Sequence, residues 1–169
     1  MIVTTVERPD LAEVSARWRW EAFFRDTRPW DDVLAAARRT ASLKDVAMPR
    51  TFLLLADGVP AGTASLVAHD LDERPDLSPW LAGVVVPPAL RGRGYAEKLI
   101  RAVEVAAHTA GFATLWLYTR TAERVYERAG WAAAGPVEHD GKSYTLMRKE
   151  LGDEPGVSPP AAPGTKPRP

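Results

Sequence analysis

Apolar positions along the chain follow two periods, and the switches between them predict an alternation of strands and helices. Short apolar or alternating runs predict strands at residues 2–6, 51–56, 61–68, 80–86, 113–118, 131–137 and 143–148. Spacings of three and four predict helices over residues 9–24, 31–41, 96–110 and, with Thr121 as its cap, 122–129. Asp-Gly pairs at 57–58 and 140–141 predict tight turns inside two antiparallel hairpins.

The stretch from residue 80 to residue 118 has the clearest pattern, which is strand, turn, helix, strand. Its helix ends at Gly111, a residue that suits the position just after a helix C-terminus. The following strand is almost wholly apolar, as buried strands are. This order forms a βαβ unit, so its two strands are predicted to be parallel and joined by a right-handed crossover.

The turn before this helix combines glycine with arginine in a way that suits an anion. The first N–H groups of a helix have no partner inside it and can bind phosphate. Gly92 and Gly94 let the backbone turn sharply and approach a ligand, while Arg91 and Arg93 supply positive charge. Glu97 stands where a dinucleotide fingerprint needs glycine or alanine, and the Gly-Lys-Ser/Thr of a P-loop is absent. A phosphate site of another kind is therefore predicted.

Six consecutive residues of this turn fit the pattern Arg/Gln-x-x-Gly-x-Gly/Ala. They are Arg91, Gly92, Arg93, Gly94, Tyr95 and Ala96. After an apolar strand, this pattern resembles the coenzyme A pyrophosphate loop of the GNAT family of N-acetyltransferases. Downstream, Ala122, Tyr126 and Gly130 match the second signature of that family, with Trp131 in place of the usual Phe.

The resemblance implies an α+β fold with α/β/α layers. A mixed, mostly antiparallel sheet would hold a central parallel βαβ unit that carries the coenzyme A site, in one acetyltransferase domain over residues 1–151. Residues 152–169 contain six prolines, three glycines and no aromatic residue, which predicts a disordered tail. A homodimer is an expectation by analogy with the family.

The resemblance also implies an activity, the transfer of the acetyl group of acetyl-CoA to a primary amine by direct attack in a ternary complex. Tyr126 is the expected general acid for the leaving thiolate, with a packing tyrosine as the alternative. The backbone of Val84, Val85 and Val86 is expected to bind the pantetheine arm, with Gly83 forming a bulge that opens space for it. A protein N-terminal or lysine acetyltransferase and a non-catalytic acyl-CoA-binding regulator are the alternative functions.

The acceptor and the general base are the least defined parts of the predicted site. By resemblance, the acceptor lies between the first helical pair and the strand loops, where Trp30, Trp80, Glu73 and His139 are candidate contacts. Packing in the core explains the two tryptophans equally well. The strand at 80–86 has no ionisable side chain, so the base is sought in loops. The candidates are His69, Asp72, Glu73, Asp76, and His139 with Glu138 or Asp140.

Composition narrows the partners without naming the acceptor. The 22 basic and 22 acidic residues balance, which gives no support for nucleic acid or an anionic membrane as a partner. The absence of cysteine excludes disulfides and a cysteinyl acetyl-enzyme, and three separated histidines predict no metal site. No leader is apparent and no apolar run approaches the roughly 18 residues of a membrane helix. We therefore expect a cytoplasmic enzyme with acetyl-CoA as its cofactor and a small-molecule amine or peptide as its acceptor.

Overall fold

The computed structural model describes residues 1–152, so the tail predicted beyond Gly152 lies outside the described residues. Within them the strands are β1 (Ile2–Thr4), β2 (Arg50–Ala56), β3 (Val59–Val67), β4 (Trp80–Val85), β5 (Thr114–Thr119), β6 (Ala132–His139) and β7 (Lys142–Glu150). The α-helices are α1 (Ala12–Arg19), α2 (Trp30–Ala41), α3 (Tyr95–Thr109) and α4 (Glu123–Arg128). No helix in residues 1–152 has both the length and the apolar character that crossing a bilayer requires.

These strands form one sheet in the order β1-β2-β3-β4-β5-β7-β6. Every neighbouring pair is antiparallel except β4 with β5. Because α3 connects this parallel pair, the predicted mixed sheet with a central βαβ unit is confirmed. The two Asp-Gly turns also form, with positive φ at all four residues, as hairpin turns of this kind require.

Helices cover both faces of the sheet. On one face, α3 buries side chains such as Ile100 and Val103 in the main core cluster. On the other face, α1 and α2 pack against each other, and Ser15 of α1 shares a buried hydrogen bond of 2.8 Å with Thr63 of β3. The α/β/α layering that the resemblance implied is therefore present.

A buried carboxylate fixes the short helix α4 against the rest of the fold. Glu104 of α3 accepts hydrogen bonds from Trp131 Nε1 and from Lys149 Nζ, each at 2.9 Å. Lys149 Nζ also donates to the carbonyl of Ala129, at the end of α4, at 2.6 Å. A buried charge is tolerated when it is paired and hydrogen-bonded. These bonds hold α4, and Tyr126 with it, next to α3 and β7.

Two boundaries differ from the sequence prediction. The helix predicted over residues 9–24 has three parts, because a 3-10 turn (Pro9–Leu11) precedes α1 and a π-helical turn (Trp20–Phe24) follows it. The prediction that Thr121 caps the last helix is wrong. Helix α4 begins only at Glu123, and Thr121 makes no capping hydrogen bond. The Thr119 hydroxyl instead accepts a hydrogen bond from the N–H of Ala122 at 3.2 Å.

Candidate functional site

Strand β4 is well paired on one side and barely paired on the other. Its antiparallel ladder with β3 extends from Trp80 to Val85, whereas its parallel ladder with β5 is the single pair of Trp80 with Trp116. Beyond that pair the two strands separate. The backbone groups of β4 that face β5 there have no strand partner, so they can bond to an extended ligand.

A bulge at Gly83 lies in this unpaired part of β4. Thr63 pairs with Val85 and Ser65 pairs with Ala82, so two residues of β4 stand opposite one residue of β3. Gly83 has φ +59°, in the left-handed region that glycine favours. The bulge predicted at this glycine is confirmed, and the two valines that follow it are partly exposed.

The turn after β4 presents a row of free backbone donors. Gly92 and Gly94 have φ of +75° and +72°, and Gly94 is the N-cap of α3. Among the described residues, the N–H groups of residues 92–97 donate to no backbone carbonyl. They include those of Tyr95 and Ala96 in the first turn of α3. Such adjacent donors at the positive end of a helix form a cradle for an anion.

The two arginines of this turn have different surroundings. Arg91 Nε donates to the carbonyl of Val86 at 3.2 Å, which ties the turn to the end of β4. Arg93 is exposed and makes no hydrogen bond or ion pair with any described residue. Arg93 can therefore meet a phosphate directly, whereas Arg91 also supports the turn.

Tyr126 lies on α4 with its ring buried against Trp131, at 6.0 Å between ring centroids in an edge-to-face arrangement. Burial raises the pKa of its phenol from 10.0 to about 12. The hydroxyl therefore carries a proton throughout the neutral range, as a proton donor must, but it is a weaker acid than the free phenol of the sequence prediction. This environment suits both the acid and the packing interpretation, so the acid role stays a prediction.

Two of the predicted acceptor residues come together in space. His139, at the end of β6, has its Nδ1 at 2.9 Å from Oε2 and 3.0 Å from Oε1 of Glu73, in the loop between β3 and β4. The hydrogen bond from His139 holds the pKa of Glu73 below its usual value. Beside them, the ring of Tyr118 lies 5.7 Å from that of His139 and 5.2 Å from that of Tyr144. The acidic loop and the last hairpin thus meet at one cluster of aromatic rings.

The two tryptophans of the predicted acceptor site have different surroundings. Trp80 is 0% exposed and donates its indole N–H to the carbonyl of Leu77 at 2.8 Å, so it packs in the core and has no surface for an acceptor. Trp30 belongs to the cluster between α1 and α2, with the Arg17 guanidinium 3.6 Å from its ring centroid. Trp80 is therefore a packing residue, whereas Trp30 is partly exposed and its contact with an acceptor stays a prediction.

The loop carboxylates considered as bases are mostly exposed or occupied. Asp76 is held in an ion pair with Arg74 at 2.7 Å, and that bond lowers its pKa. Asp140 is largely exposed, with its carboxylate 3.5 Å from His139 Nε2. Within residues 1–152, no group of three or more His, Asp or Glu side chains is placed to hold a metal ion.

Asp70 is a candidate base that the sequence did not single out. It follows the end of β3, and its carbonyl accepts a hydrogen bond of 3.4 Å from the hydroxyl of Tyr118, which belongs to the aromatic cluster beside His139. Surrounding protein atoms raise the pKa of its carboxyl from 3.8 to about 6, although the charges of His139 and Arg19 act in the opposite direction. Asp70 as a whole residue is exposed, so a ligand can reach it from solvent. Its position directly after a strand that pairs with β4 was the available signal.

Arg19 is the second residue that the sequence did not single out. It is the last residue of α1, and a Cβ on Gly83 would stand 2.8 Å from its Cδ. Burial lowers the pKa of its guanidinium, and its buried Nε has no hydrogen-bond partner. Arg19 follows the buried Ser15 and Ala16 at spacings of four and three, so an arginine on the buried helix face was the signal in the sequence.

Known proteins resemble this chain in sequence pattern and in fold. The family described as "Acetyltransferase (GNAT) family" matches residues 13–131. No curated protein matches the chain. An aminoglycoside 6'-N-acetyltransferase complexed with coenzyme A superposes with a TM-score of 0.72 at 12% identity, covering 92% of this chain and 99% of that one.

Two further solved structures are similar. An N-acetyltransferase from Staphylococcus aureus Mu50 has a TM-score of 0.69 at 16% identity, over 90% of this chain and 98% of that chain. The protein yncA from Salmonella typhimurium, determined with its cofactor acetyl-CoA, has a TM-score of 0.66 at 17% identity, over 96% and 98%. At these identities the likeness establishes the fold.

Proposed function

The chain belongs to the GNAT acetyltransferase family, and from this premise we propose that it transfers the acetyl group of acetyl-CoA to a primary amine in a ternary complex. One observation carries the proposal. Strand β4 is bulged at Gly83, unpaired toward β5 beyond Trp80, and followed at once by the donor cradle of residues 92–97. A slot for an extended arm that leads to a phosphate cradle suits coenzyme A, whose pantetheine and pyrophosphate are joined in that order.

The residues present fit acetyl-CoA without any additional group. The free N–H groups of residues 92–97 and the side chain of Arg93 would hold the pyrophosphate. The backbone of Val84 and Val85 would bond to the amides of the pantetheine arm, next to the bulge at Gly83. Acetyl-CoA supplies the thioester, whose carbonyl carbon reacts with the amine, so that a C–N bond forms and the C–S bond breaks.

Two side chains complete the proton transfers in this proposal. Asp70, which is exposed to solvent, accepts the proton that the attacking amine must lose, directly or through one water molecule. A pKa of about 6 leaves its carboxyl largely ionised at neutral pH while it remains basic enough to be useful. Tyr126 donates its phenolic proton to the departing thiolate and later regains one from solvent.

Thiol release from acetyl-CoA tests the proposed function. The purified chain is incubated with acetyl-CoA and a panel of small amines, amino acids, aminoglycosides and peptides, and free thiol is followed against a control without acceptor. We expect acceptor-dependent release with at least one class of amine. Calorimetric titration with acetyl-CoA runs in parallel. Binding without turnover across the panel would favour the non-catalytic regulator, and no binding to any acyl-CoA would overturn the proposal.

A further inference from the structure

The guanidinium of Arg19 is partly buried, and no described residue forms an ion pair with it. Its Nε is shielded from solvent and has no hydrogen-bond partner, and Arg19 forms no ion pair within residues 1–152. Leaving a buried charged donor unpaired is costly, and such groups in native proteins usually mark a bound ion, water or ligand. The buried Nε therefore has no acceptor among residues 1–152.

The charges around Arg19 favour an anion. Arg28 lies close enough for its positive charge to disfavour the charged form of Arg19, whereas Asp70 favours it without a contact between the two groups. Among Arg19 and the charged groups that act on it, positive charge therefore exceeds negative charge. An anionic group beside Arg19 would relieve the repulsion from Arg28.

The place of Arg19 connects it to acetyl transfer. The stem of its side chain lies against Gly83, at the bulge where the backbone of β4 opens toward β5. The backbone just after it changes from α-helix to the π-helical turn Trp20–Phe24, and π-turns within helices are frequent at functional sites. A group bound by Arg19 would thus lie beside the reacting acyl group and opposite Asp70.

We propose that Arg19 binds a carboxylate, and that the acceptor is an amine that carries this carboxylate a few atoms from its amino group, as amino acids do. This inference rests on the proposed function, because it assigns the acceptor of the same site. Asp70 receives the amino end, and Arg19 receives the carboxylate in the forked geometry that guanidinium groups favour. Polycationic acceptors without a carboxylate are expected to be poor substrates.

A carboxylate on the acyl chain, as in succinyl-CoA, would offer Arg19 the same chemistry at the same bulge. The acceptor is favoured as the source because Arg19 and Asp70 lie close enough for their opposite charges to act on each other, and a pair of opposite charges matches a zwitterion. The experiment therefore varies the donor and the acceptor separately.

Matched acceptors that differ only in the carboxylate test the proposal. The pairs are leucine with isoamylamine, phenylalanine with phenethylamine, and ornithine with putrescine. Thiol release is measured for every acceptor with acetyl-CoA and with succinyl-CoA, and calorimetry measures the binding of each acceptor to the enzyme–CoA complex. The proteins compared are wild type, Arg19→Met, Arg19→Lys and Arg39→Met. Arg19→Met keeps the apolar stem against Gly83 and removes the charge, whereas Arg39 is an exposed residue of α2 and serves as the control.

We expect the carboxylate member of at least one pair to have the higher kcat/KM with acetyl-CoA. Arg19→Met should remove about 10- to 100-fold of that preference, the size of a lost charge-assisted hydrogen bond. Arg19→Lys should retain part of this preference. Arg39→Met should leave the preference as it is in wild type, and the KM for acetyl-CoA should be the same in all four proteins. Equal binding of both members by wild type, or an equal loss for both in Arg19→Met, would overturn the proposal.

Two further outcomes distinguish a carboxylate on the acceptor from one on the acyl chain, and this proposal from the proposed function. A preference that appears only with succinyl-CoA and is lost in Arg19→Met supports a carboxylate site but overturns the assignment to the acceptor. If no reaction releases thiol, that result counts against the proposed function. Calorimetry then still decides whether Arg19 binds the carboxylate members selectively.

Discussion

A Cβ atom on Gly83 would stand 2.8 Å from Cδ of Arg19, so a larger residue at the bulge of β4 would displace the Arg19 side chain. The two residues come from different layers of the fold. Gly83 lies on a central strand with φ +59°, and Arg19 lies on the helical layer that covers that strand. Their contact joins the place where the acyl group would lie to the arginine that is proposed to bind the acceptor.

Gly83→Ala should therefore cost both stability and activity. The left-handed φ strains any residue with a Cβ by about 1–3 kcal/mol, and the added methyl displaces the Arg19 stem. We expect a lower melting temperature and a kcat/KM reduced by about tenfold or more. Gly58→Ala is the matched control, because Gly58 has φ +81° with nothing within 4 Å of a Cβ. Gly58→Ala should lose a similar free energy of unfolding, as measured in urea, and keep its activity. If both variants lost activity equally, the contact between Gly83 and Arg19 would not be what the activity depends on.

Asp70→Asn should change the acidic side of the pH–rate profile. Below about pH 6 the Asp70 carboxyl becomes protonated and cannot accept a proton, so wild-type kcat/KM should fall about tenfold per pH unit there. The charged or titratable groups that face it are Arg19 of α1, Tyr118 of β5 and His139 of β6. The variant should be much slower at pH 7 and lack this limb.

Asp76→Asn is the control for that measurement. Asp76 is in the same loop, but its carboxylate is already bonded to Arg74. We expect its pH profile to match that of wild type. An unchanged acidic limb in Asp70→Asn would assign the titration to another group, with His139 the first to be tested.

The donor half of the site could be predicted from sequence because it depends on local backbone chemistry. Glycines at positions 92 and 94 and an apolar strand before them specify a turn and a helix start within about ten residues. The bulge at Gly83 was predictable for the same reason. The acceptor half depends on contacts between distant segments: Asp70 and Arg19 are separated by 51 positions in sequence, and no spacing rule brings them together. Trp80 was predicted to contact the acceptor but lies in the core, because an aromatic residue close to a site in sequence can equally be a packing residue.

Variants of Arg91 and Arg93 should distinguish binding of the coenzyme from support of the turn. Arg93→Ala should raise the KM for acetyl-CoA by roughly 5- to 10-fold through the loss of one charge-assisted contact, with the melting temperature unchanged. Arg91→Ala should raise that KM and also lose about 1 kcal/mol of stability, because its Nε no longer bonds to Val86. Steady-state kinetics and thermal unfolding of both variants check this. Identical behaviour of the two would mean that the bond to Val86 contributes nothing to the turn.

Tyr126→Phe should isolate the phenolic hydroxyl. Phenylalanine preserves the edge-to-face contact with Trp131, so stability should be retained within about 0.5 kcal/mol. If the hydroxyl protonates the thiolate, kcat should fall by about 10²-fold or more while the KM for acetyl-CoA stays constant. The measurement needs conditions in which chemistry limits turnover, as shown by a pre-steady-state comparison. Wild-type kcat in the variant would leave Tyr126 as a packing residue.

Asp70→Asn should also make the protein more stable above pH 6. The folded state raises the pKa of the Asp70 carboxyl from 3.8 to about 6, so the folded protein binds this proton more tightly than the unfolded chain does. The stability contributed by the proton is complete below about pH 4 and is lost as the pH rises through 6. Asparagine has no charge to lose, so the melting temperature of the variant should exceed that of wild type at pH 8 and approach it at pH 4.

Asp76→Asn should change the melting temperature in the opposite direction, because Arg74 lowers the pKa of the Asp76 carboxyl. Its melting temperature should be equal to or slightly below that of wild type at pH 8, since exposed ion pairs contribute little. A lower melting temperature for Asp70→Asn at pH 8 than at pH 4, relative to wild type, would mean that Arg19 stabilises the Asp70 carboxylate as an ion pair. In that case Asp70 would be a structural partner of Arg19, and the carboxyl would not be a base held in readiness for an amine.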